Sequence, residues 1–163
     1  MLVSIIGIII AVIKIFNNAF NKIHIQDIIF DVKITYSDKS FIVKALFDTG
    51  NNVTDIFTGN NVILISIDNI KEIFDNSKYL QIKNCLEKNN CFENLPEKFR
   101  LLPIRAVSCE KLLPAFTADK AEISNASFTK IVKKPTIVIT DNCFQNQKYS
   151  SLINKFMKKT FLL

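Results

Sequence analysis

From Ile28 onward, apolar and polar residues alternate in short runs. The segments IIFDVKITYS and FIVKALF, on either side of the polar triplet DKS, place β-branched and aromatic residues at nearly every second position. Such alternation is typical of half-buried strands, and the triplet between them predicts a tight turn. The two segments therefore predict a β-hairpin.

Further short apolar runs predict more strands along the chain. These runs are VILISI, RLLPIRAV, FTKIV and PTIVIT. Proline lacks the backbone donor that a central strand needs, so Pro103 and Pro135 indicate edge strands or strand starts. Residues 28–163 are therefore predicted to form a mainly β domain.

Three segments depart from this alternation. Asp68–Phe74 predicts a turn or two of helix with Asp68 as its N-cap. Residues 75–98, rich in Asn, Lys and Glu, predict a mobile excursion with little regular structure. From Tyr149 the apolar residues are spaced as on a helix, which predicts a short C-terminal helix; they are Leu152, Ile153, Phe156 and Met157.

Residues 1–16, MLVSIIGIIIAVIKIF, are apolar or small before Lys14. About twenty such residues are needed to cross a membrane, so this segment is too short to cross alone. It also lacks the basic start and the cleavage site of a signal peptide. We expect the remnant of a transmembrane helix, with Lys14 and Lys22 on its cytoplasmic side and a linker over residues 17–27. The alternative is a buried core helix.

The net charge of +6 permits binding to nucleic acid or to anionic lipid. The excess is mostly lysine dispersed along the chain, which argues against a nucleic-acid-binding stripe. Binding to anionic lipid headgroups is kept as a weaker hypothesis, because dispersed lysines also form no concentrated lipid-binding patch. A hydrophobic content of 48% is ample for a folded core.

The cysteines and the single histidine exclude several kinds of chemistry. The four cysteines form no C-x-x-C pair and have no nearby histidine, so no metal site and no cofactor are predicted. We expect reduced structural thiols, with a Cys85–Cys91 bridge as the alternative. His24 is the only histidine and adjoins the N-terminal apolar segment. A Ser-His-Asp or Cys-His enzyme is therefore disfavoured.

The string Asp48-Thr49-Gly50 follows directly on the apolar run FIVKALF. The chain has only three glycines, and two of them, Gly50 and Gly59, lie within ten residues of each other. One interpretation is a pair of ordinary turns in which these glycines supply positive φ. The other is that Asp48 emerges partly desolvated at the end of a buried strand, where a carboxylate needs a partner.

Two facing carboxylates can share one proton and hydrolyse an amide bond. One acts as general base toward water, and the other acts as general acid toward the carbonyl oxygen. No other aspartate in this chain is followed by Thr-Gly or Ser-Gly. The second carboxylate is therefore expected from a second copy of the chain, across a two-fold homodimer interface.

Three blocks together extend this interpretation: ALFDTGNNVTDIFTGNNVILI, RLLPIRAVS and LLPAFTADKAEI. In this order and spacing, residues 28–152 resemble the sporulation sigma-E factor processing peptidases, membrane-embedded aspartic peptidases of endospore-forming Firmicutes. The resemblance implies a retropepsin-like closed β-barrel half, which dimerises on the cytoplasmic, mother-cell side of the cell membrane. It also implies cleavage of the pro-sequence of pro-sigma-E, triggered by an activator protein that the forespore secretes.

The same resemblance implies roles for particular residues. Asp48 is the catalytic aspartate, and Thr49 and Gly50 support it by hydrogen bonds. Four further motif positions are expected to shape the loop or contact the substrate; they are Asn51, Asp55, Thr58 and Gly59. Arg105 is expected either to form an ion pair that braces the site or dimer, or to be an ordinary surface arginine. The alternative function is an inactive retropepsin-like domain that binds the sigma factor or a membrane partner.

Overall fold

The computed structural model of the chain describes residues 12, 14, 28–88, 95–106, 109–126, 128–141, 144 and 148–154. Nine strands lie in these ranges: β1 (Ile29–Tyr36), β2 (Lys39–Asp48), β3 (Val62–Ser66), β4 (Phe99–Ala106), β5 (Cys109–Thr117), β6 (Lys120–Asn125), β7 (Phe128–Lys133), β8 (Thr136–Thr140) and β9 (Ser151–Asn154). A 3₁₀ turn covers Ile67–Ile70, and helix α1 covers Asn76–Lys88. The prediction of a mainly β domain is confirmed.

The predicted hairpin is formed by β1 and β2, with Tyr36 paired to Lys39. Ser37 and Asp38, between them, both have positive φ, at 42° and 54°. Two-residue turns of this kind match the right-handed twist of the flanking strands. The amide of Ser37 donates to the Asp119 carboxylate at 2.8 Å, which ties the turn to the corner between β5 and β6.

All nine strands belong to one sheet, in the order β4-β5-β8-β3-β9-β2-β1-β6-β7. The last strand, β9, lies between β2 and β3; it runs parallel to β2 and antiparallel to β3. The other parallel pair is β3 with β8. Pro103 lies on the terminal strand β4, and Pro135 directly precedes β8, as predicted.

The central strands β3 and β8 are buried along their whole length. Alternate residues of β3 enter different apolar clusters because successive side chains point to opposite faces. Ile63 and Ile65 join the larger cluster, whereas Val62 and Leu64 join the smaller one. The sheet therefore has apolar packing on both faces.

The helical segments differ from the sequence-based expectation. The 3₁₀ turn is capped by Ser66, whose hydroxyl accepts from the amide of Asp68, so Asp68 is not the cap. Residues 76–88 of the predicted mobile excursion form α1, and Asp75 accepts from the amide of Lys78 at 2.8 Å. Ile82 is fully buried and anchors α1 to the core. The sequence of α1 is mostly polar, so the helix was not predicted. A surface helix buries only a narrow apolar stripe, which such a composition can still provide.

The predicted C-terminal helix is wrong over the described residues, since Ser151–Asn154 form β9. Leu152 and Ile153 suit either kind of structure, and the space between β2 and β3 selects the strand. In that position Ser151 and Asn154 are 0% exposed. The backbone of β9 pairs with β2 on one side and with β3 on the other. Residues 155–163 lie outside the described part of the chain.

The expectation of a closed barrel is not met. Within the described ranges the ladder is open, with β4 and β7 as its two end strands. No helix among these residues has the length and apolar character that crossing a membrane requires. Except for Val12 and Lys14, the predicted membrane-helix remnant and linker lie outside the described residues and stay predictions.

Cys85 lies on the buried side of α1 and is disulfide-bonded, which corrects the expectation of a reduced thiol at this position. Cys91 and Cys143 lie outside the described residues.

Candidate active site

Asp48 is the last residue of β2, and its side chain is half-buried. One carboxylate oxygen, Oδ1, accepts a hydrogen bond from the amide of Gly50 at 2.9 Å. The backbone carbonyl of Asp48 accepts from the amide of Asn51 at 3.2 Å, which closes a tight turn. The carboxylate is thus held in place by its own turn while remaining accessible to solvent.

The two glycines of this region serve different purposes. Gly59 has a φ of 69°, and its amide donates to the carbonyl of Asp55 at 2.7 Å, so the turn interpretation holds for Gly59. Gly50 does not have positive φ. A β-carbon at Gly50 would lie 3.3 Å from Oδ1 of Asp48, which is closer than most such contacts. Gly50 therefore permits a close approach of the backbone to the carboxylate.

Residues 49–61, here called the Asp48 loop, connect β2 to β3. Side chains within the loop accept from its own backbone: Asn51 from the amide of Val53 at 3.0 Å, and Thr58 from the amide of Asn60 at 3.3 Å. The loop is closed by a bridge between Thr54 and Asn61. These contacts shape the loop; a role in substrate binding stays a prediction for Asn51, Thr58 and Gly59.

Asn154 contacts both arms of the Asp48 loop, at Val53 and Asn61, and we call this part of the loop its base. The sequence analysis did not identify this residue. It pairs with Asp48 across the parallel ladder of β2 and β9 and is 0% exposed. Its amide nitrogen donates to Asn61 at 2.9 Å and to the carbonyl of Val53 at 3.4 Å. One side chain therefore joins both arms of the loop beside the candidate catalytic residue.

Asp55 forms a partly buried ion pair with Arg100, the first residue of RLLPIR; the Arg100 side chain is 29% exposed. The carboxylate is 0% exposed, and its Oδ2 atom accepts both from Arg100 and, at 2.8 Å, from the hydroxyl of Thr136. The guanidinium also donates to Thr136 at 3.2 Å and to Thr117 at 3.1 Å. We call these four residues the Asp55 network. It joins the Asp48 loop to β4, β5 and β8.

Burial by itself raises the pKa of the Asp55 carboxyl. The hydrogen bonds that the carboxylate accepts outweigh this effect and lower its pKa from 3.8 to about 2; in decreasing order of size they come from Thr136, the amide of Phe57, Arg100 and Thr58. Asp55 is therefore ionised at neutral pH, and the network contains a true charge pair.

This lowered pKa predicts a pH-dependent stability. A carboxyl with a depressed pKa in the folded state contributes stability above its unfolded pKa, and this contribution is lost as pH falls from about 4 to about 2. The difference between 3.8 and about 2 corresponds to about 2 kcal/mol. Relative to an Asp55→Asn variant, the parent is expected to lose about this much over that range in urea unfolding. Parallel pH dependences of the two proteins would contradict the assignment.

Asp31→Asn, measured by urea unfolding over the same pH range, is the matched control. It removes an exposed pair, in which Lys44 contacts Asp31 at 2.7 Å, and is expected to cost less than about 1 kcal/mol.

The Asp55 network lies at the same end of the sheet as Asp48. Strand registers connect the two by a single row that crosses five strands. In order from β2 to β5 the row comprises Asp48, Asn154, Val62, Thr136 and Thr117, where Asn154 is placed opposite Val62 by continuing the Leu152–Leu64 register of β9 and β3 by two residues. Neighbouring strands are about 4.8 Å apart, so Asp48 and Thr136 are about 14 Å apart along the row. The Asp48 loop spans this distance.

Arg100 forms an ion pair with Asp55, whereas the ion pair predicted for Arg105 stays a prediction. Arg105 lies on β4 opposite Glu110, and its side chain is outside the described part of the chain. Its predicted role is therefore untested. The sequence feature that could have pointed to Arg100 is the scarcity of arginine. Arg100 and Arg105 are the only arginines in the sequence, and both lie in one short segment.

Comparison with known proteins places this β-sheet chain in a peptidase family. The model of peptidase family U4, described as sporulation factor SpoIIGA, matches residues 1–157, and the chain belongs to that family. The family resemblance drawn from the sequence blocks is thereby confirmed.

Two curated relatives are similar over most of this chain. It is 25% identical over 127 residues to the sporulation sigma-E factor-processing peptidase of Priestia megaterium. This match covers 75% of this chain but 41% of that protein. It is 26% identical over 141 residues to a Bacillus thuringiensis subsp. kurstaki protein, provisionally named a sporulation sigma factor-processing peptidase; this match covers 83% of this chain and 87% of that protein. The chain thus spans about two-fifths of the length of the first relative.

Proposed function

We propose that the chain is an aspartic endopeptidase that removes the N-terminal pro-sequence of pro-sigma-E. The observation that carries this proposal is the placement of Asp48. Its carboxylate lies half-exposed at the end of β2, a strand that is buried at alternate positions, and is oriented by the Gly50 amide, in a chain of the SpoIIGA family. The name of the Priestia megaterium relative supports pro-sigma-E as the substrate.

The chemistry requires two carboxylates. One Asp48 accepts a proton from water as the water attacks the peptide carbonyl, while the other donates its proton to the carbonyl oxygen. Each chain carries a single Asp-Thr-Gly string, so a homodimer supplies both groups across its two-fold axis. In this proposal each open sheet is one retropepsin-like half, and Thr49 and Gly50 support the shared centre.

We further propose that the domain works at the cell membrane on its cytoplasmic, mother-cell side. Residues 1–16 would belong to a transmembrane helix, and residues 17–27 would link it to the peptidase domain. Lys14 and Lys22 support this orientation, because positively charged residues concentrate on the cytoplasmic side. A protein secreted by the forespore would act as the activator. The family resemblance supports this arrangement.

Co-expression of the full chain with pro-sigma-E in a non-sporulating bacterium tests the function. The precursor is expected to shorten on immunoblots, with the candidate activator co-expressed in a parallel culture. In purified form, the rate per chain is expected to rise with chain concentration until dimerisation is complete. Binding of the precursor without shortening in either culture would instead assign the non-catalytic binding function. Salt-sensitive liposome binding without cleavage would favour the lipid-binding hypothesis.

A further inference from the structure

The Asp48 loop has one apolar anchor near its start, Val53, which is partly buried against the smaller apolar cluster. Within residues 49–61 only Asn51 and Asp55 are buried, and both are polar. The two large apolar side chains of the loop, Ile56 and Phe57, are 63% and 66% exposed. Hydrophobic burial therefore contributes little to fixing the middle of this loop, around Asp55. The position of that part depends on polar contacts.

Arg100 supplies a charged contact to the loop through Asp55. Asp55 lies midway along the loop, where its buried carboxylate accepts from Arg100 and Thr136, and the same side chain accepts from the amide of Phe57 at 3.0 Å. The guanidinium reaches Thr117 with one nitrogen and Asp55 with another. Only a planar fork can make both contacts in a fixed geometry; a lysine ammonium is a single point charge.

We propose that Arg100 is a positioning residue for Asp48. Acting through Asp55, it holds the middle of the loop against β4, β5 and β8, while Asn154 holds the base. The six residues between Asp48 and Asp55 are thereby fixed at both ends, which keeps the Gly50 amide directed at the Asp48 carboxylate. The consequence for catalysis rests on the proposed peptidase function, whereas the ordering of the loop does not.

Arg100→Lys is the principal variant, because it keeps the charge and removes the fork. Lys44→Met is the matched control, since it breaks an exposed ion pair on β2. Two quantities are measured on the full chain in detergent micelles at a temperature where each variant is folded. The first is the set of ¹⁵N order parameters for residues 49–61, together with the Gly50 amide shift. The second is kcat and KM for cleavage of the precursor protein.

In Arg100→Lys, the loop order parameters are expected to fall and the Gly50 amide signal to shift. The kcat is expected to drop about 10- to 100-fold, because small displacements of a catalytic group are costly, while KM changes less than about twofold. Lys44→Met should alter neither readout. Native order parameters and native kcat in a folded but less stable Arg100→Lys protein would overturn the proposal, because the arginine would then serve stability alone.

Two further outcomes are decided by the same design. If the parent chain does not cleave the precursor, the proposed function fails, and the loop order parameters alone decide the positioning role. If Arg100→Lys does not fold, Thr117→Val replaces it, because this change removes one hydrogen-bond acceptor of the fork and preserves side-chain shape. A roughly 2- to 10-fold loss of kcat with a more mobile loop is then expected. No change in either quantity would overturn the proposal.

Discussion

The Asp48→Asn variant is expected to cleave pro-sigma-E about 10²- to 10⁴-fold more slowly than the parent, the usual range for loss of a general acid–base group. Asparagine has nearly the same shape, and its carbonyl oxygen can still accept from the Gly50 amide, as Oδ1 of Asp48 does at 2.9 Å. The fold should therefore persist, and the loss should fall on the chemical step. Initial rates on purified precursor, with circular dichroism of both proteins, measure the effect.

Mixing the parent with Asp48→Asn separates a shared centre from an independent one. At constant total chain and equal amounts, random pairing leaves about one quarter of dimers with two intact aspartates. The rate is expected to fall to about one quarter of the parental rate. A fall to one half would mean that each chain works alone, which would contradict the dimeric mechanism. Asp31→Asn, mixed in the same way, is the control and should leave the rate unchanged.

The Phe116→Ala variant is expected to lose about 3–5 kcal/mol of unfolding free energy. Phe116 on β5 is 0% exposed and lies at the centre of an aromatic cluster. Its ring centroid is 5.0 Å from Tyr36, 5.3 Å from Phe99 and 5.4 Å from Phe74. These contacts connect β1, β4, β5 and the segment before α1. The loss is a large fraction of the stability of an ordinary domain.

Urea unfolding with both midpoint and slope measures this loss. Leu112→Ala is the matched control because Leu112 lies on the same strand but is 45% exposed. It is expected to change stability by about 0.5 kcal/mol or less. A Phe116→Ala protein within about 1 kcal/mol of the parent would show that the aromatic cluster does not hold these strands together.

Strands were predictable where alternation was clear and neighbours were close in the chain. The hairpin of β1 and β2 is an example, because its turn and both of its strands are contiguous. β9 was not predictable, since its two apolar residues fit either helix or strand and its partners lie about 100 residues away. Helix α1 was missed because its sequence is mostly polar and only a narrow side of it is buried.

The candidate site divides in the same way. Asp48, Thr49 and Gly50 are contiguous, so their hydrogen-bonding turn can be expected from the string itself. Arg100 lies 45 residues from Asp55, and the choice between Arg100 and Arg105 depends on which strand position faces the loop. Asn154 was missed for a similar reason, because its partners Val53 and Asn61 lie far away along the chain.

The sequence by itself determined the mainly β character, the β1–β2 hairpin and the Asp-Thr-Gly turn, since periodicity and turn chemistry act over a few residues. Only the tertiary structure decided that the last strand enters between β2 and β3 and that Arg100 pairs with Asp55. The physical reason is that the pairing of distant strands and the partly buried ion pair depend on which distant segments pack against one another and exclude water from their contact. No short segment of the chain contains that information.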